Sequence, residues 1–128
     1  MKFRLEKGLP FVVAMLTFRG QRLTLGNVLL DTGSSGTVFS TDRVLEIGLK
    51  FERNDMLHRV RGVGGTEYVF TKQIEQLTVG ELVMESFEIE IGALDYGFVM
   101  DGIIGTDFLS QTGAVIDFVQ LEVRRATG

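Results

Sequence analysis

The residues best suited to chemistry lie in one run, Val28-Leu29-Leu30-Asp31-Thr32-Gly33-Ser34-Ser35-Gly36-Thr37. A carboxylate placed directly after three apolar residues of a strand stands where the chain leaves the core, partly desolvated. Gly33 lets the backbone pass close to a neighbouring group. A carboxyl group so placed is suited to acid–base work. The same run also reads as an Asx-type turn, in which Asp31 accepts hydrogen bonds from nearby backbone N–H groups, and this is the commoner use of an Asp-Thr-Gly taken alone.

Other chemistries find little support. There are no cysteines, which excludes thiolate nucleophiles, disulfides and cysteine zinc sites, and the single histidine, His58, excludes zinc sites rich in histidine. His58 has no Ser or Cys elbow around it and reads as a surface residue beside Arg59 and Arg61. The glycine-rich 62–65 is not followed by Lys-Ser or Lys-Thr, so it is no phosphate loop, and neither a cofactor nor a metal is expected. A formal net charge of -4 offers no basic field for nucleic acid or anionic membrane. No apolar run approaches the roughly 18 residues of a spanning helix, and residues 1–10 make no signal peptide. A soluble, cytoplasmic protein is the expectation. Glu81, Glu85, Glu88 and Glu90 read as a solvated strand face, and Met84 and Met100 as core packing.

The elements that must position Asp31 are short. The 128 residues suffice for one domain, 1–128, with a single core. Sixteen glycines between short alternating runs give the pattern of an all-β fold. Residues 11–18 and 22–31 read as a hairpin turning at Gly20-Gln21, and 36–40 as a further strand. A short helix over 41–48 has Thr41 as its N-cap and Gly48 past its end. Residues 57–62 and 67–71 flank a glycine-rich tip as a second hairpin; strands over 73–80 and 82–91 follow. A helix over 106–111 and strands over 114–119 and on to 125 complete the chain.

Three separated segments together resemble the retropepsin-like aspartic peptidases, the single-domain relatives of pepsin. Leu29-Leu30-Asp31-Thr32-Gly33-Ser34-Ser35 is similar to the family's hydrophobic-hydrophobic-Asp-Thr-Gly signature. Gly62-Val63-Gly64-Gly65 stands where the family carries its flap tip. Gly102-Ile103-Ile104-Gly105-Thr106-Asp107-Phe108-Leu109 is similar to its late hydrophobic-hydrophobic-Gly and short helix. The resemblance spans about 11–118 and implies a closed or nearly closed acid-protease-type β-barrel with a flap hairpin and one or two short helices. It implies Asp31 as the catalytic carboxylate, Thr32 as the residue whose hydroxyl locks two Asp-bearing loops together, and Gly33 as the point of their close approach. Ser34 would hydrogen-bond the carboxylate and line the substrate site, Ile103, Ile104 and Gly105 would buttress the loop with Ile104 facing substrate, and Val63, Gly64 and Gly65 would fold over bound peptide.

Hydrolysis by this route needs two aspartates about 3 Å apart sharing one proton. The chain has no second Asp-Thr-Gly or Asp-Ser-Gly. Asp101 reads as a turn residue, Asp107 as a helix-start carboxylate, and Asp95 and Asp117 as loop and strand positions. The second Asp31 is therefore expected from a two-fold partner in a homodimer, with a polypeptide as substrate. Two alternatives belong to other classes. One is a catalytically silent dimeric module of the same fold that grips peptide by strand addition. The other takes 31–37 as the phosphate loop of an actin-like phosphotransferase, a fold whose two large lobes do not fit in 128 residues.

Overall fold

The alternation of apolar and polar residues along the first third of the chain folds as two long antiparallel strands. They are β2 (Leu9–Phe18) and β3 (Gln21–Leu30), turning at Arg19-Gly20. The computed structural model describes residues 1–62, 65–94 and 99–126, with side chains left out over 60–67. A short β1 (Arg4–Glu6) precedes them, folded back on β2 through Lys7 and Gly8, both at positive φ. Then come β4 (Val38–Ser40), β5 (Leu57–Gly62), β6 (Gly65–Val79), β7 (Leu82–Gly92), β8 (Gly102–Ile104), β9 (Ala114–Asp117) and β10 (Glu122–Arg125). Helix α1 (Thr41–Val44) runs on as a single 3-10 turn, Leu45–Ile47, and α2 spans Thr106–Gln111.

The strand order is β1-β2-β3-β8-β4-β7-β6-β5, and a further β2–β6 pairing closes the middle six strands into a ring. This is the nearly closed all-β architecture expected, with two short helices, and among the described residues no helix is long and apolar enough to cross a membrane. The ring encloses the main core, in which Leu16, Leu25, Leu30, Phe39, Ile74, Leu77, Ile91, Ile104 and Phe108 are buried. Each such side chain contributes about 1.5–3 kcal/mol relative to exposure.

Three local expectations are corrected. The 67–71 and 73–80 strands are one continuous β6, which pairs with β5 along its first half, with β7 from Phe70 to Val79 and with β2 near its end. Its charged Lys72 does not break the strand, because the ammonium is tied to Glu52 and Asp55, both at 2.6 Å. The N-cap of α1 is Ser40 rather than Thr41, and it makes no side-chain cap bond; its N–H instead donates to the Asp101 carbonyl at 2.9 Å. Gly48 does end that segment, at φ 75°, a left-handed position suited to glycine. Asp101, expected as an ordinary turn residue, is buried: it accepts from Arg43 Nη1 at 2.9 Å and from the Asn27 N–H at 3.0 Å.

The topology around β8 matters most for function. Late in the chain, this three-residue strand inserts between β3 and β4, parallel to β3 and antiparallel to β4. Chain segments some 70 residues apart in sequence are thereby brought to one end of the sheet.

Candidate active site

Asp31 follows the last residue of β3, at the end where β8 hands over to α2. Its N–H donates to the Ile104 carbonyl at 2.9 Å, extending the β3–β8 ladder by one bond and fixing the start of the loop. The loop then folds on itself. The Gly33 N–H donates to Asp31 Oδ1 at 2.9 Å, the Ser34 N–H to the Asp31 carbonyl at 3.1 Å, and the Ser34 hydroxyl to the Gly36 carbonyl at 2.7 Å. The Asx turn and the reactive carboxylate are thus one structure. Ser34 serves the loop backbone here, not the Asp31 carboxylate. Thr32 and Gly33 are exposed at the tip, and among the described residues the Thr32 hydroxyl has no partner.

The loop is braced from beneath by the start of α2. Gly105 passes so close that a Cβ there would lie 2.7 Å from the Ser34 carbonyl oxygen, a contact no side chain tolerates. The Thr106 N–H donates to that same oxygen at 2.8 Å. Thr37, 1% exposed, completes the brace: its hydroxyl donates to Asp107 Oδ1 at 2.8 Å and accepts from the Gly105 N–H at 3.1 Å. Asp107 also accepts from its helix's Phe108 N–H at 2.8 Å, so the expected helix-start carboxylate is there. Sequence reasoning missed its second task. Asp107 and Thr37 clamp the two chain crossings together; the only sequence signal was a Thr and an Asp each shortly after a glycine-bearing motif.

Register decides which side chains share a face with Asp31. Cross-strand partners point the same way, so Phe11, Leu29, Ile103, Val38, Glu90 and Thr71 form one row across β2, β3, β8, β4, β7 and β6. Asp31, two residues beyond Leu29, continues that face. Phe11, Leu29, Met100 and Ile103 form a small apolar cluster of their own, outside the main core. Ile104, expected to face substrate, points the other way and is fully buried in the core. It meets the site through its carbonyl, while Ile103 carries the side chain on the Asp31 face.

Glu90 belongs to this row and departs from the solvated face expected of it. Glu81, Glu85 and Glu88 are exposed, but Glu90 is half-buried, its Oε1 3.1 Å from where a Gly36 Cβ would stand. Burial, with the nearby Asp107 carboxylate, pushes its pKa above the ordinary glutamate value. His58 is exposed, as read from the sequence, and opposes that shift weakly.

The expected hairpin is present: β5 and β6 pair from Leu57↔Phe70 to Gly62↔Gly65. Val63 and Gly64 lie outside the described residues, as does Asp95, and Gly65 opens β6. Asp117 closes the β9 turn, accepting from the Val119 and Gln120 N–H groups, both at 2.9 Å. Among the described residues no three acidic or histidine side chains are grouped to hold a metal ion.

No curated protein is similar enough to this chain to count as a match. The aspartyl protease family model matches residues 14–108, which takes in the Asp31 loop, the β5–β6 hairpin and the Gly105–Phe108 brace. With a match over most of its length and an all-β fold that presents Asp-Thr-Gly on a braced loop, the chain belongs to the aspartyl protease family, of the retropepsin-like type.

Proposed function

We propose that this chain is an aspartic endopeptidase whose active site forms across a homodimer, one Asp31 coming from each copy. The observation that carries the reading is the Asp31-Thr32-Gly33 tip, half-buried at Asp31 and exposed at Thr32 and Gly33, on a loop held by its own hydrogen bonds. Such a tip has one carboxylate, and the chemistry needs two. Two copies related by a two-fold axis bring identical loops together. Gly33, lacking a side chain, allows the approach, and the Thr32 hydroxyl, without a partner among the described residues, would bond across the axis.

Two carboxylates about 3 Å apart cannot both be ionised, so the pair holds one proton. The ionised member takes a proton from water as its oxygen attacks the peptide carbonyl carbon. The protonated member gives its proton to the carbonyl oxygen. Collapse of the resulting diol breaks the C–N bond, with a proton delivered to the leaving nitrogen, releasing a carboxylic acid and an amine. The β5–β6 hairpin tip at Val63, Gly64 and Gly65 folds over an extended peptide and shields the reacting carbonyl from bulk water.

The test is a covalently tandem-linked pair carrying Asp31→Asn in one copy only. A shared site predicts near-complete loss of peptide hydrolysis with circular dichroism and mass unchanged; half the activity would mean two independent sites. Tight peptide binding with no hydrolysis by the unmutated pair would instead identify a silent peptide-binding module.

A further inference from the structure

Glu90 stands apart from the exposed acids of its strand because it is half-buried on the face that Asp31 continues. Among the described residues its carboxylate has no hydrogen bond and no ion pair, although it is half-buried. Its backbone is fixed, since the Glu90 N–H donates to the Thr37 carbonyl at 2.9 Å and β7 pairs with both β4 and β6. The side chain lies against Gly36, at the end of the Asp31 loop, where any Cβ would press on the carboxylate. The charged groups around it are mostly of the same sign: Asp107 from α2 and Glu88 from its own strand, with His58 from β5 opposing. Among the described residues, acidic neighbours thus outnumber basic ones around it.

The geometry points to Glu90 as a specificity determinant that receives a cationic side chain, Lys or Arg, of the peptide substrate. This rests on the peptidase reading above and adds which peptides are chosen. Glu90 stands in the cross-strand row of Leu29 and Ile103, three strands from β3, or about 14 Å at ordinary strand spacing. An extended peptide rises about 3.3 Å per residue, and the glutamate reaches back toward the loop. The cationic residue therefore sits two to four positions from the scissile bond. A two-fold dimer has one Glu90 in each half of the cleft, so the preference falls on both sides of the bond. A guanidinium or ammonium arriving there supplies the ion-pair partner that no described residue gives it, and Gly36 leaves room for it. Leu29 and Ile103 meanwhile offer an apolar floor next to Asp31, so an apolar residue at the bond flanked by a basic one is the favoured pattern.

The test uses the tandem-linked dimer and peptide pairs that differ only by Arg or its neutral isostere citrulline, placed at each position in turn. Cleavage is measured with the active form. Binding is measured by fluorescence anisotropy with Asp31→Asn in both halves. We expect Arg to be preferred about tenfold at one position on each side. Glu90→Gln should erase that ratio, Glu90→Asp should keep most of it, and Glu90→Lys should transfer the preference to a Glu-containing peptide. Circular dichroism and mass confirm that each variant is folded. Peptides cleaved without regard to charge, or an Arg preference that survives Glu90→Gln, would overturn this inference and leave the peptidase reading standing. Peptides neither cleaved nor bound would overturn both.

Discussion

Two ends of the same barrel-like ring hold carboxylates under opposite conditions. At one end, near the β2–β3 turn, Lys72 is 6% exposed and bonds Glu52 Oε1 and Asp55 Oδ2, both at 2.6 Å, while Arg19 bonds Glu52 at 2.7 Å. Hydrogen bonds from Arg19 and Lys72 bring Glu52 down to about 2. The cluster pins the 50–55 loop and the Arg19 turn to β6. At the other end are Asp31, Asp107 and Glu90, and among the described residues none of the three has a cationic partner. Their partners are backbone N–H groups and the Thr37 hydroxyl, and for Glu90 there is none. Neutralised carboxylates hold a fold together at little functional use; unneutralised ones cost stability and are available to a substrate.

Crossing the two ends with one substitution each breaks the comparison if it is false. Asp31→Asn should lower hydrolysis by on the order of 10³-fold or more, since it removes the carboxylates that serve as acid and base, with the melting temperature nearly unchanged. Lys72→Met should do the converse. It leaves Asp55 without its cation and Glu52 with Arg19 alone, and should destabilise the chain by about 1–3 kcal/mol, less than a fully buried broken pair because both acids keep some solvent. Turnover per folded chain should stay within about twofold, as expected for a site with no shared partners. Denaturant titration beside initial rates measures both; a Lys72 variant that folds normally but turns over slowly would show that the far end is not merely structural.

Between these extremes stand the brace residues, which belong to both descriptions. Thr37→Val keeps the shape and removes a buried hydroxyl that donates to Asp107 and accepts from Gly105. We expect a loss of about 1–3 kcal/mol together with a several-fold fall in kcat, as the Asp31 loop loses its hold on α2. Unchanged kcat at unchanged stability would mean that the clamp does not position the loop.

How far the sequence disclosed this arrangement follows from what kind of information each part needs. The Asp31 run and the Ile-Ile-Gly run were legible because both are local: apolar strand residues ending at a glycine. The β2–β3 hairpin was legible from alternation. The insertion of β8 between β3 and β4 was not, because three residues carry no register. For the same reason Ile103 and Ile104 could not be told apart, since two adjacent apolar residues fit either parity. Lys72 fell between two expected strands, and the counter-ions that let it continue one strand lie 17 and 20 residues away. Glu90 shows the limit of alternation itself: a period of two says which face a residue takes, not what else covers that face.

The smallest predicted effect separates the two ends by pH alone. Glu52 is held well below its unfolded value by Arg19 and Lys72. The stability it supplies is therefore complete above the ordinary glutamate range and fades as pH falls toward about 2. Glu90 has the opposite sign: burial, then Asp107, raises its pKa, so the folded chain binds its proton more tightly than the unfolded chain does. Its contribution is favourable in acid and is lost as pH rises through the raised value. Glu90→Gln should accordingly match the parent near pH 4 and exceed it near pH 8, by within about 0.5 kcal/mol because the group keeps much of its solvent. Glu52→Gln should match the parent in strong acid and fall below it near neutrality. Urea unfolding of both variants at the two pH values reads the signs directly. Should Glu90→Gln weaken the chain at pH 8, the carboxylate would have a cationic partner in the assembled protein, and the two ends would no longer differ in kind.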